Sequence, residues 1–239
     1  MSDKVLIIIP AYNEEDSITE VIKSLHEQNS SWDLLVINDG SNDKTKVLAE
    51  STGLAKVINL PFKVGIGSCV QTGFKYARNF DYDYAVRFDG DGQHKVCEIE
   101  KLLEQLRVTE ADVVNGSRFC TKNKKYKSTL LRSIGIKFFE IINSFLIKQR
   151  ITDNTSGFRA YNQKAISFLS ENYPSDYPEP ETIILLGKNG FRIKEIYTSM
   201  NQRSGGKSSI YGFYSIYYMV KVFLSILLTY IRPKAKVIK

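Results

Sequence analysis

The stretch Val86-Arg87-Phe88-Asp89-Gly90-Asp91-Gly92-Gln93-His94 decides how the rest of the chain is read. The apolar run from Tyr84 to Phe88 has the character of a short buried strand. It stops abruptly at two carboxylates one residue apart, each followed by glycine. In an extended chain residues i and i+2 point the same way, so this spacing aims Asp89 and Asp91 at one point beyond the strand end. Like charges so placed repel, and burial raises a carboxyl pKa unless something positive lies nearby. A divalent cation is the economical answer. Hard oxygen ligands, with the Gln93 amide as a third, suit magnesium or manganese better than zinc.

Three other readings of the stretch alone stay open. An EF-hand loop would space Asp89, Asp91, Gln93 and Glu100 suitably, but His94 stands where its glycine belongs and a strand precedes where a helix should. A haloacid dehalogenase-like phosphatase also places Asp-x-Asp after a strand, but with Thr or Val at the place of Gln93 and near the N-terminus. A plain polar turn is the third, since Asp-Gly pairs are ordinary turn chemistry.

The 239 residues suffice for one large domain or two small ones, and 43% are hydrophobic, enough for a substantial core. The net charge of +7 suits phosphate-bearing partners or an anionic membrane face. Cys69, Cys97 and Cys120 are widely spaced and odd in number, which speaks against a disulfide framework and for a reducing compartment. The five apolar residues between Lys4 and Pro10 are too few for a signal peptide.

Val5 to Ile9, Leu34 to Ile37 and Lys56 to Leu60 read as strands. Ile18, Val21, Ile22 and Leu25 recur at helical spacing, with Asp16 or Ser17 as cap. Further helices are expected from about Lys44, over Gly65 to Phe80, and around Ile99, Leu102, Leu103 and Leu106, with a short strand at Val113 to Asn115. This alternation predicts βαβ units and a mainly parallel sheet. Ligands bind beyond the C-terminal strand ends of such sheets. Three polar loops follow strands here, holding Tyr12 and Glu14, Asp39, and Asp89 with Asp91, and they are expected to converge on one crevice. Gly65-Ile66-Gly67 lacks the remaining features of a dinucleotide fingerprint and is read as helix entry.

The second half is less regular. Lys122, Lys124, Lys125 and Lys127 crowd a polar stretch before a helix that starts near Thr129. Asp153 to Arg159 is a compact polar turn, and Pro180 fits the first turn of a helix through Ile183 to Leu185. Arg203-Ser204-Gly205-Gly206-Lys207 is a glycine-flexed loop whose cations suit a diphosphate. From Ile210 to Ile231 the only charge is Lys221. About 22 helical residues span roughly 33 Å, near a bilayer core, yet a cation at the midpoint costs about 2.5–3.5 kcal/mol. Gly212, Ser215, Ser225 and Thr229 share a stripe, and Arg232, Lys234, Lys236 and Lys239 follow. An in-plane helix on a membrane face is the favoured reading, with a subunit interface and a spanning helix as alternatives.

Ile9-Pro10-Ala11-Tyr12-Asn13-Glu14-Glu15, Asn38-Asp39-Gly40-Ser41, Asp89-Gly90-Asp91-Gly92-Gln93-His94 and Gly116-Ser117-Arg118-Phe119, in that order, resemble family 2 inverting glycosyltransferases. Thr155-Ser156-Gly157-Phe158-Arg159 and Arg203 to Ser209 look like the branch that includes dolichyl- and polyprenyl-phosphate sugar transferases. The resemblance departs from the pattern at Lys63-Val64-Gly65, where Asn-x-Gly is common, and at Lys95-Val96, where prolines are. The Gln-x-x-Arg-Trp motif of the processive polysaccharide synthases is missing.

The resemblance implies an α/β GT-A fold over residues 1–209, and the apolar tail reads as a membrane-associated or oligomerising helical segment over 210–239. The resemblance also implies a nucleotide-sugar donor, UDP- or GDP-linked, and Mg2+ or Mn2+ as cofactor. Pro10, Tyr12 and Glu14 would border the nucleobase and ribose, and Asp39 would read the base. Asp89, Asp91 and Gln93 would hold the metal, and Arg118, Arg203 and Lys207 would bind phosphate charge. Lys125, Lys127, Arg132, Glu179 and Glu181 are candidates to meet the acceptor, and Asp153, Glu179 and Glu181 are candidate bases. The favoured acceptor is a polyprenyl phosphate at the inner face of the cell membrane, with a saccharide hydroxyl of a lipid-linked glycan as alternative. A homo-oligomer or a membrane-protein partner is a further expectation. A nucleotide-sugar binding module without catalysis is the non-enzymatic alternative. Nucleic acid is not expected, because no basic helix carries interleaved aromatics.

Overall fold

In the computed structural model the described residues are 3–120, 130–201 and 213–235, and side chains of residues 130–136 and 213–218 are not described. Lys122, Lys124, Lys125, Lys127, Arg203 and Lys207 therefore lie outside the described residues, as does the side chain of Arg132.

The apolar run after Lys4 forms β1 (Val5–Ala11), whose seven residues are all buried. A strand buried on both faces belongs mid-sheet, and β1 is paired in parallel with β2 (Asp33–Asn38) on one side and β4 (Tyr84–Arg87) on the other. β3 (Lys56–Asn59) extends this parallel block beyond β2. On the other side, β6 (Arg159–Asn162) runs antiparallel between β4 and β5 (Val113–Ser117), and β7 (Ile193–Tyr197) closes the sheet parallel to β5. The seven strands lie in the order β3-β2-β1-β4-β6-β5-β7. Because β6 alone is reversed, the C-terminal ends of β1, β2, β4, β5 and β7 share one edge with the start of β6.

Helices cover both faces. The strand period of two sends Val5, Ile7 and Ile9 to one face with α1 (Ile18–Gln28) and α4 (Ile99–Val108). It sends Leu6 and Ile8 to the other face with α3 (Ile66–Asn79) and α6 (Gln163–Asn172). Ile18, Val21, Ile22 and Leu25 are all buried, as their spacing requires. Ser17 occupies the N-cap position of α1 without making a capping bond. The short α2 (Thr45–Ser51) links β2 to β3.

A third apolar cluster joins α5 (Leu130–Ile147), α7 (Pro178–Lys188) and α8 (Phe213–Ile231) through Phe139, Ile147, Ile183, Ile184, Val222 and Ile226. Thr229 of the small-residue stripe is buried here, and its hydroxyl donates to Glu181 Oε2 at 3.2 Å. On the opposite side of α8, Val220, Leu224, Leu228 and Ile231 are exposed, as are Ile141 and Phe145 (80%) of α5. Among the described residues no helix is long and apolar enough to cross a membrane.

α3 enters at Gly65 (φ +94°), and Gly67 in its first turn lies against the turn that precedes α7. A Cβ at Gly67 would come within 2.3 Å of the Pro174 carbonyl oxygen and 2.6 Å of Ser175 Cα. Both are backbone atoms, so they can yield only if the turn moves. Overpacking of this kind costs about 1–3 kcal/mol, and Gly67→Ala should lower the urea unfolding free energy by that amount.

Candidate active site

The three polar loops meet at the shared edge. The Asp39 N–H donates to the Ala11 carbonyl at 2.9 Å. The Asn13 and Glu14 N–H groups donate to Ser41 Oγ (3.0 Å) and Thr45 Oγ1 (2.8 Å). Ser17 Oγ donates to the Gly90 carbonyl at 2.7 Å, tying the first loop to the third instead of capping α1. Pro10 is buried at the end of β1, and Tyr12 is half-buried beneath Lys63, whose Nζ lies 3.6 Å from the ring centroid. Asp39 is buried, accepting the Val64 N–H on Oδ1 (2.7 Å) and the Gly65 N–H on Oδ2 (3.0 Å). It thus fixes the entrance to α3, a role its sequence context did not disclose.

β4 ends at Arg87, one residue earlier than the apolar run suggested, so Asp89 and Asp91 occupy a turn rather than an extended segment. The positive charge beside Asp89 comes from the chain itself. Arg87 is buried, and its Nε donates to Asp89 Oδ1 at 3.1 Å. On the other oxygen, Oδ2, Asp89 meets His94 Nε2 at 3.3 Å. His94 is buried and stacks on Phe158 with ring centroids 4.8 Å apart. Burial alone would raise the Asp89 pKa, but Arg87 and His94 hold it well below the usual carboxylate range. Asp91 Oδ1 accepts the Gln93 N–H at 3.1 Å, and the Gln93 side-chain amide donates to Asp91 Oδ2. As placed, Gln93 orients the carboxylate through its nitrogen. Glu100 of the EF-hand reading pairs instead with Arg107 on α4.

Arg87 is shared. Its Nη2 lies 2.8 Å from Glu179 Oε1 at the start of α7, and its Nη1 donates to the Tyr173 hydroxyl at 3.3 Å. Gly157 packs over this arrangement. A Cβ there would sit 2.8 Å from Arg87 Nη2 and 2.9 Å from Asp89 Oδ2.

Arg118, just past β5, forms a two-pronged pair with the fully buried Asp153: Nε to Oδ2 at 2.7 Å and Nη2 to Oδ1 at 2.8 Å. Burial opposes the Asp153 charge, but the Arg118 hydrogen bonds and charge outweigh it and lower the pKa. An ionised carboxylate so saturated is a weak proton acceptor, which speaks against Asp153 as a base. Glu195 of β7 holds the same turn, accepting the Thr152 N–H and hydroxyl on Oε2 and the Asp153 N–H and Asn115 Nδ2 on Oε1. The buried Arg159 donates to Asn115 Oδ1 and the Glu179 carbonyl. Glu181 faces away from Asp89, accepting the Tyr177 N–H at 3.0 Å and the Thr229 hydroxyl.

Sequence reasoning missed Arg87, Arg159 and Glu195. A charge inside an apolar run, two residues before Asp89, was the available signal for Arg87. Among the described residues no three or more His, Cys, Asp or Glu side chains group to hold a metal by themselves. A groove of about 830 Å³ runs between Tyr173, Tyr177, Leu185 and α8, and none of Asp89, Asp91 or Gln93 lines it.

A family model described as glycosyl transferase family 2 matches residues 6–169. The chain is 32% identical over 230 residues to a UDP-N-acetylglucosamine--dolichyl-phosphate N-acetylglucosaminyltransferase of Methanococcus voltae, covering 86% of this chain and 91% of the relative. It is 27% identical to a polyprenol monophosphomannose synthase of Mycolicibacterium smegmatis, covering 88% and 82%. The fold matches the crystal structure of glucosyl-3-phosphoglycerate synthase from Mycobacterium tuberculosis, in complex with Mn2+, UDP and phosphoglyceric acid, with TM-score 0.74 at 17% identity over 98% of this chain and 81% of that one. The sheet and flanking helices are thus GT-A-like.

The Asp153 pair yields a pH dependence. Its folded pKa lies below that of an ordinary aspartate, so its stabilisation is complete above the unfolded pKa and is lost as pH falls through the folded one. Breaking a buried pair costs about 3–5 kcal/mol. Asp153→Asn should be less stable by that order at pH 7, and denaturant curves should show the gap closing below about pH 4.

Proposed function

The chain belongs to glycosyl transferase family 2, and from that premise we propose that it transfers a sugar, with inversion, from a nucleoside-diphosphate donor to a polyprenyl phosphate at the inner face of the cell membrane. The observation that carries the reading is the aspartate turn after β4, with Asp89 anchored and Asp91 beside it, on the edge where the β1 and β2 loops meet. Magnesium is commonly bound by one or two carboxylates plus substrate phosphates rather than by an all-protein cage. The carboxylates of Asp89 and Asp91 fit that pattern, with Gln93 orienting Asp91 through its nitrogen. When bound, Mg2+ or Mn2+ neutralises charge that develops on the leaving diphosphate.

The chain's own residues do the rest. Pro10, Tyr12 and Glu14 border the nucleobase and ribose. Asp39, which fixes the Val64–Gly65 turn, would also read the base, and UDP and GDP are both candidate leaving groups. Arg118, Arg203 and Lys207 bind phosphate charge, and Lys125, Lys127 and Arg132 are the candidates, from sequence, to meet the acceptor. A phosphate acceptor is largely ionised at neutral pH, its second pKa being about 6, and needs no strong base. That agrees with the saturated state of Asp153.

The acceptor half draws support from the relatives' names and from the exposed apolar faces of α5 and α8. These two helices touch through Phe138 and Phe223, and Arg232 and Lys234 follow α8. An apolar face bordered by cations suits an in-plane helix on anionic lipid. A second reading, transfer to a saccharide hydroxyl, is favoured by Glu179, whose partly exposed carboxylate could take a proton.

Three measurements test this. With Mn2+, the protein should transfer sugar to short isoprenyl phosphates, and Asp91→Ala should lower kcat/KM by about 100-fold or more, a loss of roughly 3 kcal/mol. It should also abolish the Mn2+-dependent thermal shift given by UDP or GDP. Transfer only to free saccharides would defeat the lipid acceptor. Separately, the pair Phe145→Asp and Leu228→Asp should abolish sedimentation with anionic phospholipid vesicles, while the unfolding free energy shifts by only about 0.5 kcal/mol per exposed site. Unchanged sedimentation would move membrane attachment elsewhere.

A further inference from the structure

The carboxylates at the sheet edge differ in how much hydrogen-bonding capacity they keep. Each oxygen of Asp39 accepts a backbone N–H. Asp89 has Arg87 on one oxygen and His94 on the other. Asp153 is enclosed by Arg118 and Thr155, and Glu181 by Tyr177 and Thr229. Glu179 differs. Its Oε1 takes Arg87 Nη2 at 2.8 Å, while Oε2 has no partner among the described residues, and the side chain is 22% exposed.

The position of this oxygen narrows what it can meet. One guanidinium spans Asp89 and Glu179, so Glu179 lies only a guanidinium's width from the first aspartate of the metal turn. A carboxylate accepts hydrogen bonds and donates none. An anionic phosphate would be repelled there, whereas a sugar hydroxyl has a proton to offer. On the donor reading above, on which this inference rests, the sugar is attached to the diphosphate that Asp89 and Asp91 would hold through the cation, and so would lie beside Asp89.

We propose that Glu179 is a specificity-determining residue that accepts a hydrogen bond from a hydroxyl of the donor's sugar, and that Arg87 is the positioning residue that aims it. Arg87 thereby fixes two distances together, that of Asp89 to the diphosphate and that of Glu179 to the sugar. The proline on either side of Glu179, at the first turn of α7, restricts the backbone that carries it.

The test compares ligands with and without the sugar. Calorimetric affinities are measured with Mn2+ for UDP, UDP-glucose, UDP-N-acetylglucosamine, GDP and GDP-mannose. Glu179→Gln leaves an oxygen for Arg87 but turns an amide N–H toward the cleft. It should weaken the preferred nucleotide sugar about tenfold or more, and leave the matching nucleoside diphosphate unchanged. Melting temperatures accompany each variant, and Glu179→Asp, which keeps the charge but withdraws it, gives the same comparison should the glutamine variant not fold. An unchanged ratio of the two affinities, or an equal fall in both, would overturn the proposal. So would intact donor binding with a collapsed kcat, the signature of a base acting on the acceptor. Failure of the wild type to bind any nucleotide would instead overturn the donor reading.

Discussion

The buried guanidinium of Arg87 is the constraint around which the site is assembled. A charge removed from water is tolerable only with close partners and satisfied hydrogen bonds, and Arg87 finds them in Asp89, Glu179 and Tyr173. Each partner comes from a different part of the chain: the turn after β4, the start of α7 and the end of α6. One side chain therefore keeps the aspartate turn, the α7 terminus and the central sheet in register. The Arg118–Asp153 pair does the same on the far side of β6, where Glu195 and Asn115 tie the 152–153 turn to β5 and β7.

This explains why a family 2 glycosyltransferase can carry its chemistry on loops without losing precision. The loops are short and hydrogen-bonded to one another: the Asp39 N–H donates to the Ala11 carbonyl, the Gly65 N–H to the Asp39 carboxylate, the Asn13 N–H to Ser41 Oγ, and Ser17 Oγ to the Gly90 carbonyl. The polar groups of these loops are then held by the sheet edge beneath them.

Much of the first half was legible in the sequence, for a physical reason. Parallel strands buried on both faces appear as unbroken apolar runs, and β1 and β2 show them openly. The meeting of the three polar loops at one edge follows from the strand ends. β6 was hidden because it is four residues long and carries the buried Arg159 and Tyr161, which do not look like core. β7 was hidden because Ile193-Lys194-Glu195-Ile196 does not alternate and the strand, at the sheet edge, is only partly buried. The partnership of Arg118 with Asp153 spans 35 residues, and no local pattern announces it. Asp39 and Asp153 were recognised as positions of interest, but what they hold depends on backbone amides and a guanidinium that only folding brings near.

Gly157 has a consequence of another kind. The space above Arg87 and Asp89 is kept by a missing atom, since the nearest polar atoms would be 2.8 and 2.9 Å from any Cβ placed there. The turn before β6 thus acts as a gauge: its clearance sets how high the guanidinium can ride. A side chain at this position, however small, would have to displace the Arg87 guanidinium or the Asp89 carboxylate, so the pair and the glycine change only together.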